Sequence, residues 1–384
     1  MKLNIKEFFT SLCSHIFAYT FIFILIPTFC FGFTGTLNQL QSTYTADTTI
    51  NEDFTLETTD KFPANFTGIM FDGYTTMNID PNATVTVNVD SKGFILGFSG
   101  PIFRGQNGNT YTINGGNLIF NVNQIQKVGN GLEGMIMTRS QASDRTNANF
   151  DINANFSLIA SPDVYIQRGV FTSNGPTGGY FKFTKNVFID VSKMQPSEGF
   201  GAGVKSGRGY RMIFSLEGDG AVYLNYNEAT GQTLDPKNII QLKGDLSAEA
   251  GSKGNININL DNPQSYFEGR VSIAPGSRSN VELYLNNGGK WFLNATSKIV
   301  TLDTNNLTEV VENQYNNIER LAVVDFTKIA NDGVSYRLES PNYTPRTLSV
   351  NTITGENGVF RLMADVRAGT TDTISANNVN GAQY

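Results

Sequence analysis

The chain has 384 residues, 16% charged and 40% hydrophobic, with 34 acidic against 28 basic side chains and a formal net charge of −6. That balance gives no electrostatic reason to bind nucleic acid or anionic lipid, and 28 Phe with 15 Tyr offer too much to bury for a disordered chain. With 38 Gly against 12 Pro and many Asn, Thr and Ser, the composition is that of strands and turns.

At the N-terminus, Lys2 and Lys6 precede an apolar run over residues 16–31, interrupted by Pro27. A run of this length with a basic front and small residues behind it predicts a cleaved secretory signal over residues 1–32, not a membrane anchor. Cys30-Phe31-Gly32 offers the cleavage site, and bulky Phe29 argues against a lipid on Cys30. Both cysteines (Cys13 and Cys30) and the sole histidine, His15, fall in this segment. The exported chain is then expected to fold without disulfides, although its compartment would allow them. Loss of Lys2, Lys6 and Glu7 makes its net charge one unit more negative.

Beyond the signal, short alternating segments follow one another. Examples are 84–89, 118–122, 180–183, 187–191, 222–226, 255–260 and 281–285. Period two predicts strands with one buried face. Turn formers stand between them, among them Asn107-Gly108, Asn114-Gly115-Gly116, Asn130-Gly131, Asp219-Gly220, Asn287-Gly288-Gly289 and Asp332-Gly333. Two architectures fit: an antiparallel sandwich or barrel, and a right-handed parallel β-helix whose coils stack apolar residues inward and Asn and Ser at the turns. The abundance of Asn and the lack of a domain linker favour the coil. Two segments depart from the pattern. Glu133–Asn149 is polar and is expected to loop out, and Leu307–Leu321 reads as a short helix or an irregular excursion.

Without His or Cys in the mature chain, a Ser-His-Asp triad, a Cys-His pair and a His-ligated zinc site are excluded. No Walker loop or EF-hand is present, and Gly201–Gly209 lacks phosphate-loop spacing and reads as a turn-rich loop. Carboxylate chemistry would need only two placed acids. Asp90, Asp163, Asp190, Glu217, Asp219, Asp245 and Asp261 are scattered, however, and read as solvated turn residues. Tyr180, Tyr210, Tyr223, Tyr226 and Tyr284 are candidates to stack on sugars or anchor a partner, against the plainer reading that alternate ones fill the interior.

The last hundred residues carry more. Residues 290–302 (KWFLNATSKIVTL) contain the only Trp, and 347–350 (TLSV), 358–366 (GVFRLMADV) and 371–374 (TDTI) follow in order. Over 281–373 this resembles the C-terminal part of a pertactin-type autotransporter passenger. The resemblance implies a region that caps the passenger and helps it fold after export. The matching residues are Trp291, Ser297 and Leu302, then Gly358, Phe360, Leu362, Asp365 and Asp372. It further implies a downstream outer-membrane barrel of about a dozen strands, not encoded here. The expected organisation is a signal peptide at 1–32, an all-β right-handed parallel β-helix passenger at 33–280, and an autochaperone-like cap at 281–384.

The expected role is a non-enzymatic adhesin or autoaggregation module without cofactor or metal. Its partner would be a host-cell or bacterial surface protein or glycan. Joined to a barrel it would stand at the cell surface, and alone it would remain in the periplasm. The alternatives are a polysaccharide-cleaving β-helix enzyme and an exported β-sandwich binding protein.

Overall fold

The computed structural model describes residues 33–37, 42–44, 47–58, 69–71, 76–91, 103–105, 110–125, 132–137, 148–173, 178–197, 210–306, 320–328 and 343–384. The predicted signal at 1–32, the predicted loop Gly201–Gly209 and most of Leu307–Leu321 lie outside them. Among the described residues all elements are strands. The sequence alternation becomes alternation of burial: Val85, Val87 and Val89 point inward from Thr84–Ser91, and Val281, Leu283 and Leu285 from Asn280–Asn286.

The strands stack in parallel into three rows. The first begins with Thr48–Ile50 and Thr76–Ile79. It continues through the front of two long strands, Thr110–Ile125 and Asn149–Ala160, to Tyr180–Phe183, Ala221–Leu224, Asn255–Asp261 and Asn280–Asn286. Ser297–Thr304, Thr347–Thr354 and Thr373–Val379 extend it to the C-terminal end. The second row takes the back of the two long strands and adds Val187–Asp190, Ile240–Lys243, Tyr266–Gly269, Lys290–Leu293, Val323–Asp325 and Val359–Arg361. Among the described residues these two rows, the second starting from Phe33–Leu37, Phe54–Thr58 and Thr84–Ser91, make one sheet of 20 strands, and a separate 8-stranded sheet, from Ser42–Tyr44 to Val271–Ile273, forms the third. Among the described residues the only antiparallel strand pairs are Tyr226–Asn227 with Gln232–Thr233 and Ala364–Asp365 with Thr370–Thr371. These are not the ladders of an antiparallel sandwich.

The first long strand turns from one row into the next at Asn114-Gly115-Gly116. Gly115 has φ of 70°, and a Cβ there would lie 2.3 Å from the Ile79 carbonyl oxygen of the rung below. Only glycine satisfies both demands. Side chains bond from rung to rung as expected for Asn and Ser ladders. Asn153 donates to Asn114 and Asn114 to Asn78, both at 3.0 Å, and Ser279 donates to Ser252 at 2.7 Å.

All three rows face one interior. Phe150 lies between Tyr111 and Phe181 at 5.6 and 5.5 Å, while Phe171 of the third row meets Phe181 and Phe214 at 5.2 and 5.1 Å. Each such buried side chain contributes about 2–3 kcal/mol of transfer free energy. One expectation needs correction. Leu132–Met137 is a strand whose Met135 and Ile136 are buried, and Asn149 opens the next long strand, so the predicted loop Glu133–Asn149 is structured at both ends. Polar composition masked the two apolar positions a third-row strand needs. The rest of that loop, 138–147, lies outside the described residues.

Candidate binding surfaces

The residues singled out in the C-terminal region fall in two groups. Trp291, in Lys290–Leu293, is fully buried, stacks on Phe267 at 5.7 Å and donates its Nε1–H to the Gly269 carbonyl at 2.9 Å. Buried Ser297 accepts from the Val271 amide at 3.2 Å, so both residues fasten onto 269–271, and Leu302 belongs to the same core. Near the end of the chain, Gly358 faces Thr304, whose Oγ1 would lie 2.0 Å from an added Cβ. Phe360 packs half-buried against the core. Leu362 is 44% exposed and stands outside the core. Asp365 ties its own turn, accepting from the Arg367 and Ala368 amides at 3.0 Å.

Asp372 does more than Asp365. It is buried and accepts from the Arg346 amide at 2.8 Å, the Met363 amide at 3.0 Å and the Tyr343 hydroxyl at 3.4 Å. Asp372→Ala strands these donors and is expected to lower the unfolding free energy by about 3 kcal/mol, while Asp365→Ala costs about 0.5 kcal/mol or less. Urea unfolding of the two variants checks the contrast, and equal midpoints would contradict it.

The outer face of the first row gathers four of the five tyrosines. Asp151, Lys182, Tyr223, Asn257 and Glu282 stand in one register column across five rungs. Tyr180 lies 6.3 Å from Tyr223, and Tyr226 lies 5.8 Å from both Tyr223 and Tyr284. The Tyr223 and Tyr226 rings are stacked, at an interplanar angle of 9°. Tyr226 and Glu228 come from a small hairpin over 226–233, which buried Asn225 sets. Asn225 takes φ of 51° and bonds the Asp235 amide at 3.0 Å, the Asp235 carbonyl at 2.9 Å and the Asn238 side chain at 3.0 Å. Asn is among the few residues that adopt this left-handed conformation readily.

Charge on this face is mostly internal. Lys182 pairs with Glu228 at 2.8 Å, and Glu282 accepts from Tyr284, from Asn280 at 2.6 Å and from Thr301 at 3.2 Å. Burial raises the Asp151 carboxyl above its ordinary value, with nearby Lys182 pulling the other way. Burial likewise raises the hydroxyls of Tyr180, Tyr223 and Tyr284, so all three stay neutral at physiological pH. In register beside Tyr223 and Tyr284, the side-chain oxygens of buried Asn257 and Asn259 find no partner among the described residues. Tyr210 is not part of the row: it is buried, with the Arg270 guanidinium 3.7 Å from its ring centre.

The scattered acids are less solvated than their sequence context implied. Glu217 pairs with Arg168, Asp245 with Arg270 at 3.1 Å and Asp190 with Lys243 at 4.0 Å, and Asp245 and Asp261 are buried. The partners lie a rung away, so no local motif announced them. Among the described residues no three His, Cys, Asp or Glu side chains converge as a metal site.

A second surface lies at the bend between the first and second rows. It is an open groove of about 490 Å³, lined by Asn117, Asn155, Asn186, Phe188, Gln241 and Gln264 among others. Comparison of the chain with protein-family models, curated proteins and solved structures finds no match.

Proposed function

We propose that the three parallel rows are the faces of a right-handed parallel β-helix, and that the chain is the passenger of a pertactin-type autotransporter. It acts as a non-enzymatic adhesin or autoaggregation module that contacts a surface protein or glycan. The observation that carries the binding reading is the continuous row Tyr180–Tyr223–Tyr226–Tyr284 on one outer face of the stack. Aromatic rings fixed on paired backbone give contact area at little entropic cost. Joined to an outer-membrane barrel, such a stack stands at the cell surface, and Trp291, Ser297 and Asp372 serve as fastenings of its C-terminal cap.

A polysaccharide-cleaving enzyme is the second reading, because Asp151, Glu228 and Glu282 share the face with Lys182. Against it, Glu228 is engaged by Lys182 and Glu282 accepts from three donors, which suits a structural role better than proton transfer. The passenger reading is tested by fusing the chain to an outer-membrane barrel and treating intact cells with protease. The expected result is a surface-exposed chain released by protease. A folded barrel whose attached chain stays inside the cell would overturn the reading.

A further inference from the structure

The groove between the first and second rows is built from two columns of side chains. One is an amide ladder. Asn117 donates to Thr84 at 3.3 Å, Asn155 to Asn117 at 3.2 Å and Asn186 to Asn155 at 3.1 Å, and the Ile239 amide donates to Asn186 at 2.8 Å. The other column is Ile119, Ser157, Phe188 and Gln241, in register across four rungs. A primary amide has two N–H donors and two acceptor lone pairs. Asn117, Asn155 and Asn186 each use one of either kind in the ladder, and Asn155 and Asn186 are exposed, so a donor and an acceptor remain for a ligand. Gln241 spends one N–H on the Gln264 carbonyl at 2.9 Å. Among the described residues no Asp, Glu, Lys or Arg lines the groove.

We infer that this groove binds a linear chain of uncharged sugars lying along the rows. Hydroxyl groups come in donor–acceptor pairs that match the spare valences of side-chain amides, and the apolar face of a sugar ring suits the half-buried Phe188. The ladder repeats once per rung, about 4.8 Å, a step comparable with one sugar ring. The described lining offers no cation to an acidic polysaccharide. An extended peptide would need a free strand edge, whereas Asn155–Ala160 is paired on both sides, with 117–122 and 187–190. The inference gives the binding reading a ligand class at a surface separate from the tyrosine row, so each can fail alone.

The test is calorimetric titration of the full chain with four neutral hexasaccharides, derived from cellulose, laminarin, starch and chitin. A galacturonate hexamer and an uncharged polar peptide serve as competitors. We expect at least one neutral sugar to bind, with affinity about tenfold or more above that of either competitor. Phe188→Ala, which removes the ring, and Ser157→Arg, which fills the groove without touching the ladder, should each weaken binding at least about tenfold with unfolding temperature unchanged. No binding by any neutral sugar, preference for galacturonate or peptide, or unchanged affinity in the two folded variants would overturn the inference. Should one variant fail to fold, the other decides.

Discussion

Trp291→Ala is expected to lower the unfolding free energy by about 4 kcal/mol, the largest single-residue effect in the C-terminal region. The indole is fully buried, stacked on Phe267 at 5.7 Å, and stands in register with Phe267 and Val324 on either side. Truncation opens a cavity between three rungs, and the paired backbone on both sides limits collapse into it. It also strands the Gly269 carbonyl that the indole N–H satisfies at 2.9 Å. Trp291→Phe separates the two effects, since it keeps most of the volume and loses only the hydrogen bond, for about 1–2 kcal/mol. Denaturant midpoints measure both. A Trp291→Ala protein as stable as its parent would show that this residue fastens nothing.

Gly254→Ala comes next, at about 3 kcal/mol. Three glycines sit one above another at the entry to first-row strands. The Gly179 carbonyl accepts from the Ala221 amide at 2.8 Å, the Gly220 carbonyl from Asn255 at 3.0 Å, and the Gly254 carbonyl from Asn280 at 2.9 Å. A Cβ on Gly254 would lie 1.9 Å from the Gly220 carbonyl oxygen. Backbone cannot rotate away as a side chain can, so the rungs must spread and the bonds on both sides lengthen. The loss should appear as a lower thermal midpoint together with faster amide exchange at Asn255 and Asn280. An unchanged midpoint would mean that the rungs are not spaced as described.

The strands and many turns were legible because their signals are local. Period two placed Val85, Val87 and Val89 inward, and Asn287-Gly288 makes a turn in which Asn287 takes φ of 46° and Gly288 of 87°. Pairing was not legible. Bonded side chains in successive rungs lie as little as 19 residues apart, Asn305 with Asn286, and as much as 54, where Asn238 reaches the Thr184 carbonyl. Rungs of such unequal length leave no sequence period, and alternation alone does not distinguish parallel from antiparallel neighbours.

The same distance hides the surfaces. Tyr180 and Tyr223 are 6.3 Å apart in space through the register that sets Lys182 beside Tyr223. Arg168 with Glu217 and Arg270 with Asp245 likewise become pairs only once the rows are stacked. The tyrosines were recognisable as candidates one by one. Their continuity depended on the hairpin that Asn225 sets, which carries Tyr226 between Tyr223 and Tyr284. The amide groove gave no separate signal, since its Asn residues read in sequence as outward strand positions like any others.

Adhesion by displayed chain is the most direct measurement. Cells carrying the chain on a fused outer-membrane barrel should aggregate or adhere, and Tyr223→Ala with Tyr226→Ala should abolish this while protease-accessible display stays equal. Display without adhesion, or adhesion indifferent to the two substitutions, would contradict a binding scaffold built on the tyrosine row.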